Sequence, residues 1–185
     1  MKKINLLKIL NILLYVFYGI SVVYLIYIKK YNYAAICTGC IIATYILRIG
    51  NKKFDYLFND MLIIMLDLFI LFSLVLGTSY GLYKINYYDD ALHIWSGAIG
   101  SVVAYTVINV CTKQEDRKKI KKAFFFIFIF MFSLGISNLW EILEFSLDVL
   151  FKINCQAGGL KDTMIDMIDG LIGTIVITPF LLRKL

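Results

Sequence analysis

The stretch AFFFIFIFMFSLGISNLWEILEFSLDVLF, residues 123–151, decides the fold. It runs apolar through Ser137, and its only charges, Glu141, Glu144 and Asp148, fall in the last third. A bilayer core of about 30 Å takes about 20 helical residues, so this stretch is long enough to cross. Working outward, five more apolar runs appear: Ile4–Ile28, Tyr33–Ile49, Met61–Leu82, Ala91–Cys111 and Thr163–Leu182. The second is the shortest, and Arg48 at its end is expected to snorkel outward. In lipid only helices or closed barrels satisfy every backbone polar group. The long unbroken runs exclude the alternating pattern of a barrel.

The whole chain agrees with this reading. Its 185 residues are 61% hydrophobic and 17% charged, with mean hydropathy +0.79. Soluble domains are about 45–50% apolar and about 25% charged. The expectation is an all-α, polytopic membrane bundle of six helices. It forms a single integral membrane domain, with three supporting helices over 1–82 and three site-bearing helices over 83–185. The first run follows Met1-Lys2-Lys3 but is too long for a signal peptide and lacks a small-residue cleavage site, so it is read as a retained helix.

The basic residues set the orientation. Fourteen lysines and arginines fall on one side, among them Lys2, Lys3, Lys8, Lys52, Lys53, Arg183 and the cluster Lys113–Lys122. Five fall on the other: Lys29, Lys30, Lys84, Lys152 and Lys161. This places both termini in the cytoplasm of a bacterium, with the chain in its inner membrane. The net charge of +6 is thereby explained by short loops, and no nucleic-acid partner is expected. The expected partners are membrane lipids and a lipid or cell-envelope substrate. Cys37 and Cys40 form a CxxC inside an apolar run without a second pair, and are read as buried, inert thiols. Gly97, Gly100, Gly170 and Gly173 are read as small-residue patches for close helix packing.

The acidic residues carry the functional signal. Asp89 and His93 are four apart, Glu141, Glu144 and Asp148 are spaced i, i+3, i+7, and Asp162, Asp166 and Asp169 are spaced i, i+4, i+7. Each set shares a helix face. Helical rise puts Asp169 and Glu144 about 10 Å inside the outer surface, in one layer with His93. Each charge at membrane depth costs about 2.5–3.5 kcal/mol or more. Such stripes must face one another and hold something positive, or be partly protonated. A divalent cation is the simplest single solution, with Asp89, His93, Glu141, Glu144, Asp162, Asp166 and Asp169 as candidate ligands and Glu144 as candidate general base. Asp148 and Asp162 also read as helix ends, Asp162 as an N-cap, and Asp90 as exposed. Asp67 is a lone intramembrane acid that pairs either with this site or with a neighbour. Residues 156–159 read as a flexible outer loop able to cover the site, and Tyr87, Tyr88, Trp95 and Trp140 as an interfacial aromatic belt.

These motifs, Tyr88-Asp89-x-x-x-His93, Trp140-Glu141-x-x-Glu144, Gln156 and Asp162-Thr163-x-x-Asp166-Met167 followed by Gly170 and Gly173, resemble the YjdF-like family of bacterial inner-membrane proteins. The resemblance covers the last three helices. More distantly, the chain is similar to VanZ-like proteins, although it carries Trp-Glu-x-x-Glu and lacks the Arg and Asn of their ends. The resemblance implies that Asp89, His93, Glu141, Glu144, Asp162 and Asp166 form one site, with Asp169 at a position that is apolar in some relatives. Three functions stay open: a metal-dependent hydrolase or transferase, a cation or proton transporter, and a non-catalytic scaffold or sensor.

Overall fold

A computed structural model describes residues 6–53, 60–152, 155–156 and 159–185. Lys2, Lys3, the start of the first run at Ile4 and the Ala157–Gly158 part of the outer loop lie outside the described residues. The described residues contain helices and no strands: α1 Leu6–Tyr27, α2 Tyr31–Lys53, α3 Asp60–Ile70 continuing into π-helical turns at Leu71–Ser79, α4 Tyr88–Cys111, a short α5 Gln114–Arg117, α6 Lys122–Phe151 and α7 Leu160–Leu182. Six of these segments are long and apolar enough to span a membrane.

The expected segments hold, and their ends shift for identifiable reasons. α2 runs to Lys53, four residues past Ile49, because a helix continues in water once it leaves lipid and basic residues suit its C-terminus. The third span changes character at Leu71. The Thr78 and Ser79 hydroxyls donate to carbonyls five residues back, at 3.2 and 3.1 Å, and the Tyr80 N–H reaches the Val75 carbonyl in the same wide pattern. Gly81, in the left-handed region at φ +80°, ends it. α4 starts at Tyr88 rather than Ala91, which brings Asp89 and Asp90 into its first turn, where the helix dipole favours acids.

The chain forms two compact units, Met1–Asn86 and Tyr87–Leu185. In the first, Leu14, Tyr18 and Leu25 of α1 pack with Ala34, Cys37 and Cys40 of α2 and with Val75. Cys37 and Cys40 are buried free thiols, Cys37 donating to the Ser79 hydroxyl at 3.7 Å. Arg48 corrects the sequence reading. It does not snorkel; it pairs with the fully buried Asp67 of α3. A cation nearly five turns into α2 finds a buried carboxylate on α3, and each relieves the other's desolvation.

In the second unit, α4, α6 and α7 meet along three buried stripes that change chemistry in step. On α6 the stripe is Phe125, Ile129, Ser133, Ser137 and Glu141; on α4, read from the other end, it is Ile108, Ala104, Ser101, Gly97 and His93; on α7 it is Leu181, Thr178, Thr174, Gly170 and Asp166. Each runs from apolar through small or hydroxyl-bearing residues to an acid or histidine. The i, i+4 spacing that puts a residue on a helix face makes this alignment a property of the sequence. In the middle layer α4 and α7 touch backbone to backbone. A Cβ at Gly97 would overlap the Gly170 carbonyl, and one at Gly173 the Ile94 carbonyl. The Ser133 hydroxyl bridges to the Gly97 carbonyl (2.8 Å) and to the Thr174 hydroxyl (2.7 Å), so all three helices join there. The glycine patches therefore do what the sequence reading expected of them.

Candidate metal centre

At the end where α4 and α7 begin, the three stripes terminate around His93. Its ring is buried, with 10% of the side chain exposed. Nε2 lies 3.6 Å from Asp89 Oδ1 on its own helix and 3.7 Å from Asp166 Oδ1 on α7. Nδ1 lies 3.6 Å from Glu141 Oε1 on α6. Both carboxylates from α6 and α7 are buried, and Asp89 is half-exposed. Packing fixes the pairs: Gly170 lies against Ser137 one turn further in, which aligns Asp166 with Glu141.

Nε2 of His93 and single oxygens of Asp89 and Asp166 all lie within 4.8 Å of one another. Bonds of about 2.1 Å at tetrahedral angles place donors about 3.4 Å apart, close to the two Nε2–oxygen separations. Those separations are too long for hydrogen bonds. The group thus has the spacing of donors around a cation rather than of groups bonded to each other. Glu141, on the opposite ring nitrogen, stands where carboxylates orient a ligating imidazole and fix its tautomer. Two further buried oxygens at this end, Glu141 Oε2 and Asp169 Oδ2, have no hydrogen-bond partner among the described residues. Nor does a lysine or arginine pair with Asp89, Glu141, Asp166 or Asp169 among those residues.

Of the seven candidate ligands, the structure gathers Asp89, His93 and Asp166 into one group and sets Glu141 beside them. Glu144 stands one turn further along α6, half-buried, its Oε1 accepting a 2.8 Å hydrogen bond from Trp140 Nε1. Trp140 is therefore more than a belt residue. Asp169 is buried one turn deeper than Asp166. Asp162 is half-buried in the first turn of α7 and is not its N-cap; that position belongs to Gly159, whose φ of +65° suits glycine. Asp90 is half-buried rather than exposed.

The loop between α6 and α7 also departs from expectation. Asp148 is no solvated helix end: it accepts the backbone N–H groups of Cys155 (2.5 Å) and Gln156 (2.8 Å). The Gln156 amide donates to the Thr163 hydroxyl at 2.7 Å. The described part of the loop is thus tied to both helices. No sequence spacing announces this clamp, because its partners are backbone amides. Asp67 belongs to Arg48 and not to this site.

A model of the family described as predicted membrane protein (DUF2238) matches residues 9–185. The chain belongs to that family. The DUF2238 match takes in α1 from Ile9 onward, every later helix and the whole carboxylate–histidine cluster. No curated protein and no solved structure matches the chain. A multi-pass membrane location is thus supported by both the family and the six spans.

Proposed function

We propose that this protein is a metal-dependent membrane hydrolase acting on a lipid or envelope ester at the outer face of a bacterial inner membrane. The observation that carries the reading is the position of His93 Nε2, which faces two carboxylate oxygens at cation-like spacing with no basic side chain paired to them among the described residues. Asp89, His93 and Asp166 would hold the ion. One imidazole with two carboxylates suits a divalent first-row metal such as zinc, manganese or iron. Three protein donors leave coordination open, the arrangement of catalytic rather than structural sites. Bound there, the ion would supply Lewis acidity toward a carbonyl or phosphoryl oxygen and make water a better nucleophile.

The chain's own residues divide the remaining work. Glu141 faces Nδ1 at 3.6 Å; closing that gap to a hydrogen bond when an ion draws on the ring would fix the tautomer that leaves the Nε2 lone pair free. Glu144, one turn along the same helix, is the candidate general base: it takes the proton of the attacking water and returns it to the leaving oxygen as the ester bond breaks. Trp140 restrains that carboxylate. The 14-to-5 distribution of basic residues supports a site end facing outward and termini facing inward. The YjdF-like motifs support treating the cluster as one site.

Elemental analysis of protein purified without chelator tests the reading, beside Asp166→Asn and Asp89→Asn. Near-stoichiometric metal is expected in the wild type and little in either variant, together with metal-dependent release of fatty acid or headgroup from membrane lipid extract. Absence of metal from the folded wild type, even after exposure to zinc and manganese, would sink the proposal.

A further inference from the structure

Around Arg48 and Asp67, the first unit holds more polar atoms than that ion pair uses. Asn11, Tyr15 and Tyr18 are spaced i, i+4, i+7 on α1, and Thr44 and Arg48 i, i+4 on α2, so each set shares a helix face. The short turn at residues 28–30 folds α2 back along α1, which sets Asn11 about level with Arg48. Tyr15 lies within electrostatic reach of Arg48, and Tyr18 faces Thr44 without closing a hydrogen bond. Asp67 of α3 joins the group through Arg48.

Six buried atoms of this group have no hydrogen-bond partner among the described residues: Asn11 Oδ1, Tyr18 Oη, Thr44 Oγ1, Arg48 Nε and Nη1, and Asp67 Oδ1. Tyr18, Thr44 and Asp67 are wholly buried, at 0% exposure. Arg48 gives Asp67 only its Nη2, so the ion pair leaves donors on one partner and an acceptor on the other. Native interiors satisfy nearly all such atoms, with protein or with ordered water. Lipid chains can supply no hydrogen bond to them.

We infer that the polar core of the first unit binds a cluster of ordered water bridging Arg48 and Asp67 to Asn11, Tyr18 and Thr44. The inventory of donors and acceptors selects the ligand. Arg48 only donates, the Asn11 and Asp67 oxygens only accept, and the two hydroxyls do either. A cation would suit the oxygens and be repelled by the guanidinium. An anion would suit the guanidinium and be repelled by Asp67. Water serves both kinds, and at about three hydrogen bonds per buried water the six atoms call for about two molecules. Arg48's side chain is 17% exposed and Asp67's 0%, so the cluster reaches from the rim of the unit to its interior. This inference is independent of the metal reading, since all its residues lie in the first unit.

Radiolytic hydroxyl-radical footprinting of the full chain in detergent tests this, because a radical formed on a bound water attacks the side chain beside it. Tyr18 is the reporter. Phe125, an aromatic of the second unit at 2% exposure, is the dry reference. With each rate normalised to that of the unfolded chain, Tyr18 is expected to be oxidised several-fold faster than Phe125. Asn11→Leu/Thr44→Val removes two partners of the water and should bring Tyr18 down to the Phe125 rate in a protein that still unfolds cooperatively. Thr44→Val alone should give a smaller drop. Tyr18 as slow as Phe125 in the wild type overturns the inference. Tyr18 equally fast in the wild type and in both folded variants also overturns it, since bulk solvent rather than a bound cluster then reaches the ring.

Discussion

The two units bury carboxylates in opposite ways. In the first, Asp67 sits fully buried against the guanidinium of Arg48, so the chain supplies its own countercharge. In the second, Asp166 and Glu141 are as deeply buried, and the residue between them is a histidine ringed by acids. Removing a carboxylate from water costs several kcal/mol in either place unless a partner offsets it. The first unit shows that this sequence places an arginine where a buried acid needs one for structure. Among the described residues no arginine or lysine pairs with the buried acids of the second unit, which leaves room for a cation from outside.

The largest effect that would break this comparison is expected at Arg48. Arg48→Met should strand the Asp67 charge and destabilise the protein by about 3–5 kcal/mol. The double variant with Asp67→Leu should recover most of that loss, as thermal unfolding in detergent would register. If the single variant is neutral, the pair is no internal control for the second unit.

Chelation comes next. Metal at a hundred times its dissociation constant stabilises by about 2.7 kcal/mol. Stripping metal from the wild type should therefore lower the unfolding temperature, whereas Asp166→Asn should unfold at one temperature with or without chelator. The Arg48→Met/Asp67→Leu protein should keep the full chelator response, since its change lies in the other unit.

Glu141→Gln should act more gently. Partners that orient a ligating histidine typically contribute 10–100-fold in metal affinity, about 1.4–2.7 kcal/mol. Competition titration with a chromophoric chelator would measure it. An unchanged affinity would make Glu141 a bystander.

The smallest effect is one of rate. Cys155 lies outside the spans, and burial, with Asp148 and Glu144 nearby, pushes its thiol above its ordinary value. Thiolate is the reactive form, so a membrane-impermeant maleimide should label Cys155 slowly near neutrality and faster as pH rises. In intact cells it should reach Cys155 and spare Cys111, which adjoins the basic loop on the expected inner side. The reverse pattern would invert the orientation.

Apolar run length alone made the six spans legible, because the bilayer sets a minimum that few soluble sequences meet. The i, i+4 spacings made the faces legible too, down to His93 with Asp89 and Glu141 with its helix. Which faces meet was not legible. That depends on Gly97 and Gly173, whose missing side chains let α4 and α7 touch, and on Ser133 joining α6 to them. The division of labour between His93's two nitrogens appears only once those contacts set the ring. The Asp148 clamp and the π-helical end of the third span depend on backbone partners that leave no periodic trace. Arg48 looked like a snorkelling residue because its partner stands 19 residues away on another helix.

The backbone contact between α4 and α7 has a consequence for ion choice. Asp89 and His93 ride on one helix and Asp166 on the other, and Gly97 against Gly170 leaves no side chain between them to yield. Such a pair works as a fixed gauge. Any ion taken there would have to meet donors at the spacing these helices set, since moving Asp166 away from the α4 donors would mean prying apart two backbones.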